Sequence, residues 1–361
     1  MAWHRSGTRR AAAVVAVVSM AVAALAMAYS LGPAAGQRQS QLFTGRTMGT
    51  YYRLTIVGQN DLTDAEAFHG ELQAAAERVE ALMSTYRPES ELSRFNASRQ
   101  TDWVPVARET AAVVHEAIDV GRKSGGGYDV TVGPLVNLWT FGPDHHRPIR
   151  CPSEAEIAKA KARVGLDRLE VRLDPPSLRK QRPDVYVDLS SIAKGYAVDQ
   201  VAETLDRRGL ADYCVDIGGE VRAKGLNARG FPWQIGIERP LPNEQSIEQV
   251  VPLSNLAMAT SGDYRNYFEE DGVRYCHEID PRTGRPICHT LASVTVIDPS
   301  CAQADAWATA LLVAGPYAGY ELAVKNRLAA FFIVKTPSGL VEKWTPEFAP
   351  LLGESTAREL R

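Results

Sequence analysis

The first chemical signal in the sequence is a carboxylate inside an otherwise apolar segment. Residues 302–314 (AQADAWATALLVA) are apolar apart from Gln303, Asp305 and Thr309. Asp305 and Thr309 are four residues apart, so a helix places them on one face. A carboxylate in such surroundings needs hydrogen bonds or a cation. The pair therefore predicts either a structural aspartate that caps a neighbouring loop or an oxygen-ligand site for a hard cation such as Mg²⁺.

The second signal is a lysine at the start of a helix. Residues 185–198 (VYVDLSSIAKGYAV) predict a strand and then a helix, with Ser190 or Ser191 as the cap. Lys194 then lies in the first turn, where the helix dipole disfavours a cation. A bound anion would resolve this conflict, and a helix N-terminus beside a lysine favours phosphate. The alternative is a structural ion pair between Lys194 and Asp188.

Two loops carry further polar groups. Residues 216–220 (DIGGE) place two glycines after a predicted strand, where the backbone either turns tightly or approaches a ligand. Residues 277–284 (HEIDPRTG) begin with His277 and contain the turn residues Pro281 and Gly284. The sequence lacks a Walker loop, a GxGxxG fingerprint and a GxSxG elbow, so the common nucleotide-binding and hydrolase signatures do not apply.

Taken in order, seven segments of the chain resemble the ApbE family of FAD:protein FMN transferases. They span roughly residues 45–315. The segments are 48–50 (MGT), 83–88 (MSTYRP) with 90–93 (SELS), 126–135 (GGYDVTVGPL), 188–197 (DLSSIAKGYA), 216–219 (DIGG), 275–284 (YCHEIDPRTG) and 304–310 (ADAWATA). Each segment alone is a weak signal, whereas their shared order is specific.

The resemblance implies the ligands of a site. Mg²⁺ would be held by Asp305, Thr309 and the backbone carbonyl of Ser191. The implied FAD contacts are Met48, Tyr86, Gly127, Tyr128, Asp129, Asp188, Lys194 and Ile279. Ser190 and Ser191 stand where many members have Gly and Ala, a change that a backbone ligand tolerates.

The implied reaction is Mg²⁺-dependent transfer of the FMN part of FAD to a Thr or Ser hydroxyl of an acceptor protein, with release of AMP. We take His277 as the base, because an unperturbed imidazole titrates near neutrality. The family's acceptors are extracytoplasmic redox subunits. Three other functions stay open: an FAD pyrophosphatase that uses water instead of the acceptor, a non-catalytic flavin-binding protein, and a membrane-anchored interaction protein.

The cysteines leave two further options. Cys276-His277 and Cys288-His289 suggest a zinc site, although their spacing matches no standard zinc finger. A Cys276–Cys288 disulfide is the second option. Since the chain has five cysteines, at least one stays unpaired in a monomer.

The elements that must position these residues are mixed helices and strands. Helices are predicted over 64–83, 109–124, 153–164, 192–208 and 302–314, and strands over 50–57, 185–189, 213–217, 233–238, 292–297 and 328–335. Their irregular order predicts an α+β fold with mixed sheets and packed helices, not a doubly wound parallel sheet. The family resemblance implies a relation to the tunnelling fold (T-fold).

The N-terminus predicts export. Arginines at positions 5, 9 and 10 precede an apolar run over 11–28, so residues 1–28 form a signal peptide or an uncleaved membrane anchor. We expect a linker over 29–41, one catalytic domain over 42–350 and a polar tail over 351–361. The protein would work in the periplasm or on the extracytoplasmic face of the inner membrane. A net charge of −3 argues against nucleic acid as the main partner.

Overall fold

The computed structural model describes residues 38–58, 65–143, 149–241 and 246–352. In these ranges the helices are α1 (Ala65–Met83), α2 (Glu91–Ala97), α3 (Arg108–Lys123), α4 (Gly133–Leu138), α5 (Glu154–Lys161), α6 (Ala193–Arg207), α7 (Cys301–Ala314) and α8 (Ala318–Lys325). The strands are β1 (Ser40–Thr47), β2 (Thr50–Val57), β3 (Val104–Pro105), β4 (Leu169–Leu173), β5 (Pro176–Lys180), β6 (Tyr213–Ile217), β7 (Glu220–Lys224), β8 (Trp233–Glu238), β9 (Ile247–Leu253), β10 (Leu256–Gly262), β11 (Tyr267–Glu270), β12 (Val273–Cys276), β13 (Ile279–Asp280), β14 (Arg285–Pro286), β15 (Leu291–Asp298), β16 (Ala329–Thr336) and β17 (Gly339–Trp344).

An eight-stranded sheet forms the scaffold, with the order β1-β2-β6-β7-β10-β15-β16-β17. Every neighbouring pair is antiparallel. Along β10, Ala257 and Ala259 belong to the core under the helices, whereas Met258 belongs to a second core on the other face. The hairpin of β8 and β9 covers that second face with Trp233 and Leu253. Both sheet faces are therefore buried, as the period-2 alternation of strand side chains allows.

Helix α7 packs against β10, β15 and α6. Its side chains are buried on nearly every side, as expected for a helix that is apolar all round. The Ser300 hydroxyl accepts from the Gln303 amide at 3.3 Å and so caps the helix, which ends at Gly315 with φ of +86°. Asp305 thus sits on the helix that the scaffold holds most completely.

Helices α6 and α7 meet at their N-terminal ends, and Gly195 makes this approach close. A Cβ atom at Gly195 would overlap the Cys301 carbonyl and lie 2.9 Å from the Ala302 Cα. Asp199 of α6 accepts hydrogen bonds from the amides of Cys301 and Ala302 at 3.1 and 3.0 Å, which caps α7. An ion pair with Arg222 holds the Asp199 carboxylate in place. The two helix starts are therefore fixed to each other by backbone contacts.

The predicted α+β class is confirmed, and each predicted helix is present within a few residues of its predicted bounds. The strand predicted over 185–189 is wrong. Its backbone bonds to the Asn96 side chain and to the Val130 carbonyl instead of to a neighbouring strand. The linker predicted over 29–41 ends earlier than expected, since β1 begins at Ser40 and Arg38 already pairs with Asp212 at 2.6 Å. The relation to the tunnelling fold stays a prediction.

All five cysteines are free thiols. Cys276 is buried and Cys288 is exposed, so the Cys276–Cys288 disulfide considered above is not formed. In the ranges that the structure describes, no group of three or more His, Cys, Asp or Glu side chains is placed to bind a metal, and a zinc site at these cysteines gains no support.

The predicted signal or anchor over 1–28 and residues 353–361 of the predicted tail lie outside the described residues. Among the helices that are described, none combines the length and the apolar character needed to cross a membrane. Membrane anchoring through the N-terminus therefore stays a prediction.

We expect Gly195→Ala to destabilise the protein, because the added methyl group would overlap the backbone of α7. A backbone cannot relieve such an overlap by rotation, as a side chain can. Overpacking of this kind costs about 1–3 kcal/mol, measurable by urea unfolding. Gly70→Ala is the matched control: Gly70 lies in helix α1, and a Cβ there meets nothing within 4 Å. This control should be neutral or stabilising, since Ala is the better helix former. Equal stability of the two variants would contradict the close-contact argument.

Candidate active site

A cavity of about 500 Å³ opens where α6, α7 and the sheet meet. Eleven of the twelve residues predicted above for the site line it: Tyr86, Gly127, Tyr128, Asp129, Asp188, Ser191, Lys194, His277, Ile279, Asp305 and Thr309. These residues come from well-separated parts of the chain, so the fold gathers them. The arrangement is that of a ligand cavity.

Met48 is the one predicted site residue that does not line this cavity. It lies in the turn between β1 and β2 with φ of +50°, and its side chain packs against the main core. Its amide donates to Glu80 Oε2 at 3.4 Å. The contact of Met48 with FAD therefore stays a prediction without support from the cavity lining.

Asp305 faces the start of α6 and is 4% exposed. Its Oδ2 accepts from the Gly195 amide at 3.0 Å, one of the first-turn amides of α6 that have no carbonyl partner inside the helix. No backbone hydrogen bond to the Ser191 carbonyl forms within the described ranges, so that oxygen is left for another partner. Burial raises the pKa of Asp305, although Lys194 and the Gly195 amide act in the opposite direction. Asp305 thus accepts a hydrogen bond from a neighbouring segment, as the structural alternative predicted, and the same carboxylate is still placed to bind a cation.

Hydroxyl groups connect this carboxylate to the rest of the wall. The Thr309 Oγ1 lies 3.0 Å from the Ser261 Oγ on β10, which joins α7 to the sheet instead of to its own backbone. The Ser191 Oγ donates to the Tyr128 hydroxyl at 3.0 Å. Neither Ser190 nor Ser191 caps α6 with its side chain, contrary to the prediction. Asp188 organises this turn, as its Oδ1 accepts from the Ser190 amide and hydroxyl at 2.9 and 2.6 Å.

Lys194 forms an ion pair with Glu220, not with Asp188 as the structural alternative assumed. The Lys194 side chain is 33% exposed and that of Glu220 is 3% exposed. Burial opposes the charge of Lys194, but the carboxylates of Glu220 and Asp305 raise its pKa above the ordinary value. Burial also raises the pKa of Glu220, against the effect of Lys194. Lys194 therefore stays charged between two acidic groups.

Two glycines deliver Glu220 to the cavity. Ile217 and Glu220 are paired across β6 and β7, so Gly218 and Gly219 form a two-residue turn. Their φ values are +66° and +104°, and glycine adopts such angles without steric cost. The sequence predicted either a tight turn or a close approach to a ligand at these glycines. The structure shows the tight turn, and the turn also lines the cavity.

His277 also lines the cavity and lies on the segment between β12 and β13. Its Nδ1 is 3.2 Å from the Asn266 carbonyl, and its amide donates to the same oxygen at 3.0 Å. Because a carbonyl only accepts, Nδ1 carries the proton in this bond and Nε2 is left as the basic nitrogen. Nε2 is 3.5 Å from the Glu278 carboxylate, which would stabilise a protonated ring.

Sequence reasoning missed four charged residues of the lining: Glu220, Glu278, Glu238 and Arg265. Glu238 is engaged by Arg265 and by the Tyr264 hydroxyl, the latter at 3.0 Å. Glu220 and Glu278 lie inside segments that the sequence analysis had already selected. Glu220 directly follows the two-glycine turn, and Glu278 directly follows His277. These positions are the signal that could have identified them. Among the residues that the structure describes, the lining contains six carboxylates and two permanent cations, Lys194 and Arg265.

Fold and site together define an α+β protein with an acidic, ligand-sized cavity at the start of two joined helices. The sequence profile of the ApbE family matches residues 48–332. The chain belongs to the ApbE family.

Similar proteins match along most of the chain. The FAD:protein FMN transferase of Haemophilus influenzae is 46% identical over 337 residues, covering 91% of this chain and 96% of that protein. The one from Vibrio cholerae is 45% identical over 311 residues, covering 86% and 92%. The solved flavin transferase ApbE from Vibrio cholerae superposes with a TM-score of 0.81 at 43% identity, covering 87% of this chain and all of that one. The apo flavinyl transferase ApbE from Pseudomonas stutzeri superposes with a TM-score of 0.80 at 41% identity, covering 88% of this chain and 98% of that one.

We expect Glu278→Gln to stabilise the protein near pH 7 but not near pH 3.5. Burial raises the pKa of Glu278 above its usual value of 4.5. Since the fold holds this proton more tightly than the unfolded chain, stability falls as the pH rises from the unfolded toward the folded pKa. Glutamine removes that cost. Urea unfolding at both pH values measures the effect, with exposed Glu269→Gln as the control. An equal gain at both pH values would rule out this explanation.

Proposed function

We propose that this protein catalyses Mg²⁺-dependent transfer of the FMN part of FAD to a Thr or Ser hydroxyl of an extracytoplasmic acceptor protein and releases AMP. The observation that carries the proposal is one cavity lined by Asp305, Ser191, Lys194 and His277. The relatives from Haemophilus influenzae and Vibrio cholerae are named FAD:protein FMN transferase, and these names support the flavin and the acceptor protein.

The donor set fits Mg²⁺. The excess of carboxylates over cations among the described lining residues would repel a pyrophosphate, so a bound cation would strengthen the binding of such a ligand. Magnesium is usually held by one or two carboxylates together with phosphates and waters, not by a full set of protein ligands. Asp305 with the Thr309 hydroxyl and the Ser191 carbonyl matches that pattern. When bound, the ion would neutralise charge that develops on the phosphates.

Lys194 would hold the phosphate groups. An ammonium has three donors, and one is used by Glu220, so two are left for phosphate oxygens. The start of α6 adds its own positive end. This contact resolves the conflict between a lysine and a helix N-terminus that the sequence poses.

Aromatic and apolar groups form the part of the cavity that suits a flat ring system. Tyr86 and Phe141 line it together with Val132, Val136 and Ile279. The Tyr86 hydroxyl donates to the Phe141 carbonyl at 3.2 Å, which fixes the ring at the rim. Rings of this kind stack on heterocycles such as flavin or adenine.

His277 would accept the proton of the acceptor hydroxyl on Nε2. The hydroxyl oxygen then forms a bond to the FMN-side phosphorus, and the bond from that phosphorus to the AMP oxygen breaks. In-line displacement at phosphorus requires positioning and charge stabilisation more than covalent work by the protein. Glu278 beside the ring would stabilise the imidazolium that results.

The acceptor and the location are part of the same proposal. Residues 1–28 support export to the periplasm or to the outer face of the inner membrane. The acceptor would then be a redox subunit with a Thr or Ser flavinylation motif. Mixing the soluble protein with FAD, Mg²⁺ and a candidate acceptor peptide tests the reaction, with the peptide mass as the readout. Free FMN and AMP with an unlabelled peptide would indicate hydrolysis, and no turnover would indicate a flavin-binding protein.

Asp305→Ala should lower the rate of FMN transfer by about a thousandfold or more, since a bound ion stabilises the transition state by several kcal/mol. The rise in acceptor-peptide mass over time measures it. Asp206→Ala is the control, because Asp206 lies near the far end of α6, pairs with Lys224 and is absent from the cavity lining. Both variants should melt as folded proteins. Full activity of Asp305→Ala with Mg²⁺ present would remove the metal assignment.

For His277→Ala we expect a loss of about 10²–10⁴-fold in transfer rate, the usual contribution of a general base. The dependence of the rate on pH should also differ between the unaltered protein and the variant. The measurement is the transfer rate from about pH 5 to 9. An unchanged rate and profile would retire His277 as the base.

A further inference from the structure

Glu220 is the most completely buried of the acids missed by the sequence analysis, and one of its oxygens is unused. Its Oε1 binds the Lys194 ammonium. Its Oε2 is buried and has no hydrogen-bond partner among the residues that the structure describes. Both Glu220 and Asp305 line the same cavity, and their charges influence each other. The pairing of Glu220 with Ile217 across β6 and β7 holds its backbone in the sheet.

The kind of partner that Oε2 needs follows from its chemistry. A carboxylate oxygen accepts hydrogen bonds and cannot donate them. The phosphates of a dinucleotide are also acceptors and carry negative charge, so they would repel this oxygen. A donor that can lie between a carboxylate and phosphates is a water molecule on a divalent cation, and Mg²⁺ keeps several of its waters.

We propose that Glu220 is a positioning residue for the metal: Oε1 fixes Lys194, and Oε2 accepts a hydrogen bond from a water bound to the Mg²⁺ at Asp305. This inference rests on the magnesium site of the proposed function. Outer contacts of this type orient the inner ligands of a metal and tune its affinity. One side chain thereby couples the lysine that holds phosphate to the ion that neutralises it.

Glu238 lines the same cavity but does not share this feature. Its Oε2 receives the Tyr264 hydroxyl and the Arg265 guanidinium. Substitution of Glu238 by Gln therefore removes the same charge from the cavity without touching an unpaired acceptor. Glu238→Gln is therefore a matched control for the loss of one negative charge from the cavity.

The test is calorimetric titration of MgCl₂ into the full chain saturated with FAD. Glu220→Gln, which keeps the size of the side chain but replaces an acceptor oxygen by a donor, should weaken Mg²⁺ binding by about 10–100-fold. Glu238→Gln should change it by less than about threefold. FAD binding without metal, followed by flavin fluorescence, should be similar in all three proteins, because Gln still accepts from Lys194. Circular dichroism and melting verify the fold, and Glu220→Asp serves as a second variant if Glu220→Gln does not fold.

Two results would overturn the inference. The first is that Glu220→Gln binds Mg²⁺ as tightly as the unaltered protein. The second is that Glu220→Gln loses as much affinity for FAD without metal as it loses for Mg²⁺, which would mean that Glu220 acts through Lys194 alone. Asp305→Asn, titrated in parallel, separates this failure from that of the proposed function. If Asp305→Asn loses Mg²⁺ binding while Glu220→Gln retains it, the role of Glu220 alone is wrong. If Asp305→Asn also retains it, the magnesium site itself is wrong.

Discussion

The site depends on the contact between the first turns of α6 and α7. Asp199 caps α7 from α6, and Asp305 in turn accepts from the Gly195 amide of α6. These reciprocal bonds leave space for a hydrogen atom at position 195 but not for a side chain. Lys194, Ser191 and Asp305 meet on one wall because the two helix starts cannot separate. A shift of about 1 Å in such a contact is large on the scale of catalytic geometry.

The same contact concentrates negative charge where folding alone would avoid it. Burial raises the pKa values of Asp305, Glu220 and Glu278, so all three carboxyls are less easily ionised than in water. An unpaired buried acceptor such as Glu220 Oε2 costs roughly 1–3 kcal/mol. Perturbed acids that cluster in a cleft are typical of functional sites, because a purely structural core would replace them with apolar groups. The cost in stability is consistent with selection for a ligand that brings positive charge.

Local sequence rules predicted only part of this site, and the family resemblance implied the other residues. The spacing of Asp305 and Thr309 and the apolar helix around them fix a polar face, and Gly218-Gly219 fix a turn. The partner of Lys194 could not be found in this way. Glu220 is 26 residues further along the chain and reaches Lys194 because β6 and β7 pack against α6, a tertiary contact that local pattern does not encode. The strand predicted over 185–189 was wrong for a related reason. Its β-branched residues fit a strand, but its backbone hydrogen bonds go to Asn96 and Val130.

In the proposed function, the two chemical tasks would fall to different parts of the fold. Lys194 and Asp305 belong to the helices that pack on the large sheet, and the apolar side chains of these elements form the main core. His277 belongs to a small hairpin region outside that sheet, and two hydrogen bonds to the Asn266 carbonyl orient it. Rigid packing around Lys194 and Asp305 would suit the phosphates and the ion of the proposed function, whose positions must hold during the displacement. In that proposal His277 would meet a hydroxyl that arrives on another protein, and its partly exposed side chain leaves an approach for that partner.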